Sequence, residues 1–133
     1  MAGNYPNTFY RVAVKALIKN DKGQILLVKE KSDKWDLLGG GLDHGEEPED
    51  GFKREIQEEI GVSSGIYVGG IVTQKSFWLD SKQAWLMWIV YEVTLANKTQ
   101  FIAGDGVTDI EFIDPRVFET STDEREHYLI TFS

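Results

Sequence analysis

The sequence predicts an α/β domain in which a mixed β-sheet is sandwiched between helices, an α/β/α arrangement filling one domain over residues 1–133. Three observations lead there. Apolar residues alternate with period two through several segments, one central segment changes to helical spacing, and the C-terminal part carries signals for short helices.

Arg11 to Asn20 (RVAVKALIKN) places Val12, Val14, Ala16 and Ile18 at alternate positions. Asp21-Lys22-Gly23 supplies turn chemistry and Gln24 to Val28 a second apolar run, so the pair reads as a hairpin. Glu30 to Lys34 is charged and polar, and Trp35 to Leu38 is a short apolar return. Gly39-Gly40-Gly41 then opens backbone conformations that other residues resist, as a functional loop requires. From Pro48 to Ile60, Phe52, Ile56 and Ile60 recur four residues apart, with Gly61 following as a C-cap, and this spacing predicts a helix. Ile66 to Thr73 and Ala84 to Leu95 are expected strands, with a second hairpin turn across Asp80 to Lys82. The latter strand is apolar on both alternating faces, through Trp85, Met87, Trp88 and Ile89, as a central buried strand would be. Asn97 to Asp109 reads as a polar loop and Ile110 to Ile113 as a short strand. Asp114-Pro115 suits an N-cap and first helical position, and a last helix is expected near Thr122.

A chain of 133 residues supports one core that removes roughly two-thirds of the unfolded surface from water. With 41% hydrophobic residues, 27% charged residues and three prolines, neither disorder nor low complexity is expected. The strongest apolar stretch, Ala84 to Val90, falls far short of the roughly 20 residues that cross a bilayer. The N-terminal run MAGNYPNTFYRV lacks a basic start followed by an apolar segment, and cysteine is absent, so a cytoplasmic protein without a membrane span is expected. A net charge of -8, from 22 acidic and 14 basic residues, opposes non-specific attraction to nucleic acid or an anionic membrane. An anionic small molecule remains compatible if local divalent cations and a few placed Lys or Arg residues receive it.

The central helix carries that chemistry. Each residue advances about 100 degrees, so Glu55, Glu58 and Glu59 share one face. Like charges so close repel one another unless cations neutralise them, with Arg54, four residues before Glu58, as a further source of positive charge. Hard cations such as Mg2+ or Mn2+ favour an all-oxygen set of this kind and bridge to phosphates. The glycine loop before the helix allows backbone groups to approach such a metal or a phosphate. A solvated acidic helix face is the plain alternative for three glutamates taken alone, and a turn is the plain alternative for the glycines. His44, single and in the same loop, is left out of the metal shell. Trp35, Phe77 and Trp78 suit either base stacking or core packing, with packing the more common use of large aromatics.

Gly40, five residues, Glu46, seven residues and then Arg54-Glu55-Ile56-Gln57-Glu58-Glu59-Ile60-Gly61-Val62 resemble the complete box of the Nudix (MutT-like) hydrolases. The resemblance spans 23 residues and implies the Nudix fold and hydrolysis of a pyrophosphate bond in a nucleoside diphosphate linked to another group. It implies Glu55, Glu58 and Glu59 as ligands of Mg2+ or Mn2+, with Gly39 offering its backbone carbonyl. Glu46 would support Arg54 through a salt bridge, and Arg54 would orient Glu55. A further carboxylate from a loop beyond the central sheet is matched best by Asp109, then Asp105. Leu38 stands where many members have proline, and Asp43 where many have glutamate. Marks of the subgroups acting on ADP-ribose, dinucleoside polyphosphates and coenzyme A are missing; Phe77, Trp78, Leu79 and Asp80 stand in the first two places. Nucleoside triphosphates, nucleotide sugars or similar small-molecule nucleotides remain as substrates. The rival functions are a non-catalytic nucleotide-sensing module and processing of RNA 5' ends, the latter opposed by the net negative charge.

Overall fold

Alternating apolar residues give the strands two faces to bury, and both are covered. The computed structural model describes residues 9–133, so the first eight positions of the expected 1–133 domain, and most of the N-terminal run considered for a leader, lie outside the described residues. The strands are β1 (Tyr10–Leu17), β2 (Ile25–Glu30), β3 (Trp35–Gly41), β4 (Ile66–Leu79), β5 (Ala84–Leu95) and β6 (Val107–Ile113). They form one sheet in the order β4-β5-β1-β3-β2-β6. β1 and β5 run parallel and the other neighbours antiparallel, so the sheet is mixed as expected.

Helix α1 (Pro48–Ile60) covers one face, packing Phe52, Ile56 and Ile60 on Val14, Ala16, Leu26 and Leu38. The opposite face is covered by the C-terminal segment, a five-residue helix α2 (Glu124–Tyr128) between two 3-10 turns. Phe118, Leu129 and Phe132 of that segment pack on Ala13, Leu27, Leu37 and Trp88. The expected three-layer arrangement is present, with a thin second layer.

Four sequence expectations change. The turn after Lys19 forms, with the Asn20 N–H on the Gln24 carbonyl at 3.0 Å and a bridge between Lys19 and Ile25. Beyond it β1 and β2 part and β3 enters between them, so the two are not a simple hairpin. Both strands are buried on both faces, and interior strands need backbone partners along both edges. β4 extends past Thr73 to Leu79 and meets β5 across the Asp80–Lys82 turn, as the second hairpin predicts. β5 lies second in the sheet rather than at its centre, and its faces differ: Trp88 is buried whereas Trp85 is 40% exposed. β6 begins at Val107, so Asp109 sits within the strand opposite Lys29 rather than in the loop before it.

α1 holds the bounds its periodicity predicts. Gly61 closes it in the left-handed region (φ 73°), its N–H on the Gln57 carbonyl. The loop between β5 and β6 then clasps the helix end: Ile102 N–H donates to the Ile60 carbonyl at 2.9 Å, and Gly104 N–H to the Glu59 carbonyl at 3.0 Å. A Cβ on Gly104 would collide with the Glu58 carbonyl oxygen. Gly104→Ala is therefore expected to lower unfolding free energy by about 1–3 kcal/mol in thermal or denaturant melts. Gly70→Ala, where a Cβ meets nothing within 4 Å, should change it by no more than about 0.5 kcal/mol.

Candidate active site

The glycine run of β3 lies against α1 as a ledge without side chains, and two of the predicted glutamates reach it. Gly39 takes φ 123°, and a Cβ there would strike the Val14 carbonyl oxygen of β1. Its N–H donates to Glu59 Oε1 at 2.8 Å. Glu59 is only 8% exposed, and burial pushes its carboxyl up to about 8, a rise the Gly39 N–H and the Lys15 ammonium partly oppose. Glu55 leans over Gly40, its Oε1 lying 2.7 Å from where a Cβ on that glycine would sit. Glu58 points outward, with its side chain 60% exposed.

Arg54 ties the loop to the helix. Its Nε and Nη2 donate to the two carboxylate oxygens of Glu46, each at 2.9 Å, and its Nη1 donates to Glu55 Oε1 at 2.9 Å. Asp43 and Glu58 stand 3.5 and 3.6 Å away. Glu46 also accepts the Asp43 N–H at 3.0 Å, closing the loop on itself. The Arg54 guanidinium and the Asp43 N–H hold the Glu46 carboxyl down to about 2, and Glu46 in turn raises Arg54.

Glu55, Glu58 and Glu59 share one end of α1 but do not converge: among the described residues no three acidic or imidazole groups stand at metal-binding spacing. Glu55 and Glu59 nevertheless present hard oxygens to the Gly39–Gly40 ledge, one over a glycine with no Cβ and the other buried with a single hydrogen bond. That donor chemistry fits a divalent cation such as Mg2+. Asp109 is exposed and accepts from Thr108 Oγ1 at 3.2 Å, away from this ledge in the hydrogen-bond pattern. Asp105 lines a separate depression with Glu30 and Lys31, and His44 is exposed. Of the aromatics, Phe77 is core, Trp35 lines a hollow beside Gly39 and Gly40, and Trp78 packs edge-on against Trp85.

The sequence pattern does not single out two residues near the ledge, Arg11 and Lys15. Lys15, 6% exposed, donates from its ammonium to Asp36 Oδ2 at 3.1 Å and to the Leu37 and Gly39 carbonyls at 3.3 and 3.4 Å, with the Trp88 ring 5.4 Å away. The signal was a lysine between Ala13 and Leu17 on the second face of an apolar strand.

Because the folded Glu46 carboxyl lies at about 2, below its ordinary 4.5, its ion pair adds stability that is complete above pH 4.5. That contribution is lost as pH falls toward 2. Melting temperature should fall across this window, and Glu46→Gln should flatten that part of the profile while lowering the plateau at neutral pH.

The fold occurs in solved structures. A MutT protein from Methanosarcina mazei Go1 superposes with a TM-score of 0.76 at 23% identity, covering 92% of each chain. The E. coli dihydroneopterin triphosphate pyrophosphohydrolase gives 0.72 at 14% identity, covering 94% of this chain and 97% of that one. Among curated proteins, an RNA pyrophosphohydrolase of Ruthia magnifica is 51% identical over 55 residues, 41% of this chain and 31% of that protein. Nucleoside triphosphatase NudI of Escherichia fergusonii is 46% identical over 57 residues, 38% of this chain and 40% of that protein. The matches thus span less than half the length of these curated relatives. No helix among the described residues is long and apolar enough to cross a membrane. A model of the NUDIX domain matches residues 9–131, and with that match the chain belongs to the Nudix family.

Proposed function

We propose that the chain is a single-domain cytoplasmic enzyme that uses Mg2+ or Mn2+ to hydrolyse a pyrophosphate bond in a nucleoside diphosphate linked to another group, by attack of water on phosphorus. The observation that carries this reading is the pairing of Glu59, buried on the Gly39 N–H, with Glu55, aligned over Gly40 by Arg54. A buried acid with one hydrogen bond beside a second carboxylate is a costly arrangement that a divalent cation relieves.

Glu55, Glu58 and Glu59 would hold the metal, together with the Gly39 carbonyl, whose long 3.4 Å contact with Lys15 leaves a second lone pair available. When bound, the cation polarises the phosphoryl oxygens and lowers the pKa of water at the site. Arg54, fixed by both oxygens of Glu46, keeps Glu55 directed at the ledge. Glu59 is committed to Gly39, and Asp109 is held in β6. Glu58, exposed and turned outward from the ledge, would accept the proton of the attacking water when it is not itself on the metal.

The substrate is read as a small-molecule nucleotide, either a nucleoside triphosphate or a nucleotide sugar. Relatives named as a nucleoside triphosphatase and as RNA pyrophosphohydrolases support the bond type. The latter name also favours a second reading, removal of pyrophosphate from RNA 5' ends, against which the net charge of -8 weighs. A sensing role without catalysis is disfavoured by the presence of Glu55, Glu58 and Glu59 together with Arg54 and Glu46.

Incubation of the purified protein with nucleotides and Mg2+ should release a nucleoside monophosphate, and excess EDTA should stop the release. Glu58→Gln and Glu59→Gln should each lower kcat by at least about tenfold. Full turnover in EDTA would remove the metal from the mechanism. Faster turnover of triphosphorylated RNA than of any free nucleotide would favour the second reading.

A further inference from the structure

The cleft beside the glycine ledge is cationic, although the whole chain carries a net charge of -8. It holds about 560 Å³ between β1, β5, the β4–β5 turn and α2, with Leu86 and Trp88 among its apolar walls. Arg11, Lys15, Lys82 and Arg125 line it, and no aspartate or glutamate does among the described residues. Lys15 is committed to Asp36 and to backbone carbonyls. Arg11, Lys82 and Arg125 are exposed, and none has a carboxylate within ion-pair distance among the described residues.

Arg11 is also positioned. Its Nη1 donates to the Leu42 carbonyl at 2.7 Å, and its guanidinium fills the space that a Cβ on Gly41 would need. The absence of a side chain at Gly41 therefore seats a cation at the end of the ledge, next to the glycine that underlies Glu55. Among the described residues one of the five Arg11 N–H donors is used, and Arg11 lines the cleft with a fork that can meet two phosphate oxygens.

We propose that Arg11 is a specificity-determining residue that contacts the phosphate chain of the substrate, and that Lys82 and Arg125 across the cleft favour a nucleoside triphosphate over a nucleoside diphosphate joined to an uncharged group. This rests on the pyrophosphohydrolase reading above. A third phosphate supplies counter-charge to Lys82 and Arg125, whereas a neutral sugar supplies none.

The test compares the nucleoside triphosphate cleaved fastest with the diphosphate sugar of the same nucleoside, in the full chain with Mg2+. Wild type should prefer the triphosphate. Arg11→Gln should raise KM for the triphosphate at least about tenfold, with kcat altered less than about threefold. Gly41→Ala keeps the arginine but displaces its guanidinium, the far end of a flexible side chain, so it should reproduce the rise in KM. In the Arg11→Gln background Gly41→Ala should add nothing, whereas a purely structural effect of the new methyl group would add in full. Lys82→Gln combined with Arg125→Gln should abolish the preference for the triphosphate. Wild type favouring the sugar, an unchanged KM in Arg11→Gln, or additive effects of the Arg11 and Gly41 changes would overturn the proposal. Wild type that cleaves neither substrate, nor any other nucleotide with a pyrophosphate bond, would overturn the reading on which it rests.

Discussion

The hydrogen bond from the Gly39 N–H to Glu59 is the contact on which the site depends, because it joins the acidic end of α1 to the middle of the sheet. It requires a residue with no side chain: Gly39 lies in a backbone region that L side chains rarely adopt, and the Val14 carbonyl occupies the place of its Cβ. The contact also requires a carboxylate to be buried. The resulting penalty is visible in the Glu59 carboxyl, raised to about 8 although a backbone N–H and a nearby ammonium both favour its charged form. A fold selected for stability alone has little reason to place an acid there. A fold that must gather positive charge at that point does.

β3 then acts as a divider between charges of opposite sign. On the α1 side, Glu55 and Glu59 face the ledge, with Glu46 and Arg54 bracing them. On the other side, the Lys15 ammonium reaches the Leu37 and Gly39 carbonyls, and the cationic cleft opens beyond it. Three glycines in succession make the strand thin enough for both sides to act on one small region. Gly39 admits the Val14 carbonyl, Gly40 admits Glu55 and Gly41 admits Arg11, so each has a different spatial reason for lacking a Cβ. A phosphate chain lying along this strand would meet the Glu55 and Glu59 carboxylates on one side and guanidinium and ammonium groups on the other. Phosphoryl transfer depends on that kind of positioning and charge compensation more than on covalent participation by the protein.

Local signals were readable from the sequence and long-range ones were not. The bounds of α1 follow from Phe52, Ile56, Ile60 and the left-handed Gly61, all within one element, and the β4–β5 hairpin follows from two apolar runs around one turn. The insertion of β3 between β1 and β2 is a pairing across sequence distance that alternation along either strand does not encode. The start of β6 is not legible because Thr108 and Asp109 read as polar loop, whereas on the sheet edge their side chains simply face solvent. The bond of Glu46 to Arg54, expected from the family resemblance, has its geometric counterpart in two hydrogen bonds. Lys15 is hidden because alternation along β1 marks only the apolar face of Val12, Val14, Ala16 and Ile18, and Arg11 because its meaning lies in the missing side chain of Gly41, thirty residues away. A net charge of -8 describes the whole surface and hides a cleft of the opposite sign.

The most direct measurement of the central claim is turnover of a nucleotide with Mg2+ in water enriched in oxygen-18, followed by mass spectrometry of the products. Attack of water on phosphorus at a pyrophosphate bond predicts a single heavy oxygen in a phosphate group of one product, with that label lost together with activity in Glu58→Gln. Products whose phosphates carry no heavy oxygen would contradict attack at phosphorus, and with it the role assigned to the glutamates on the ledge.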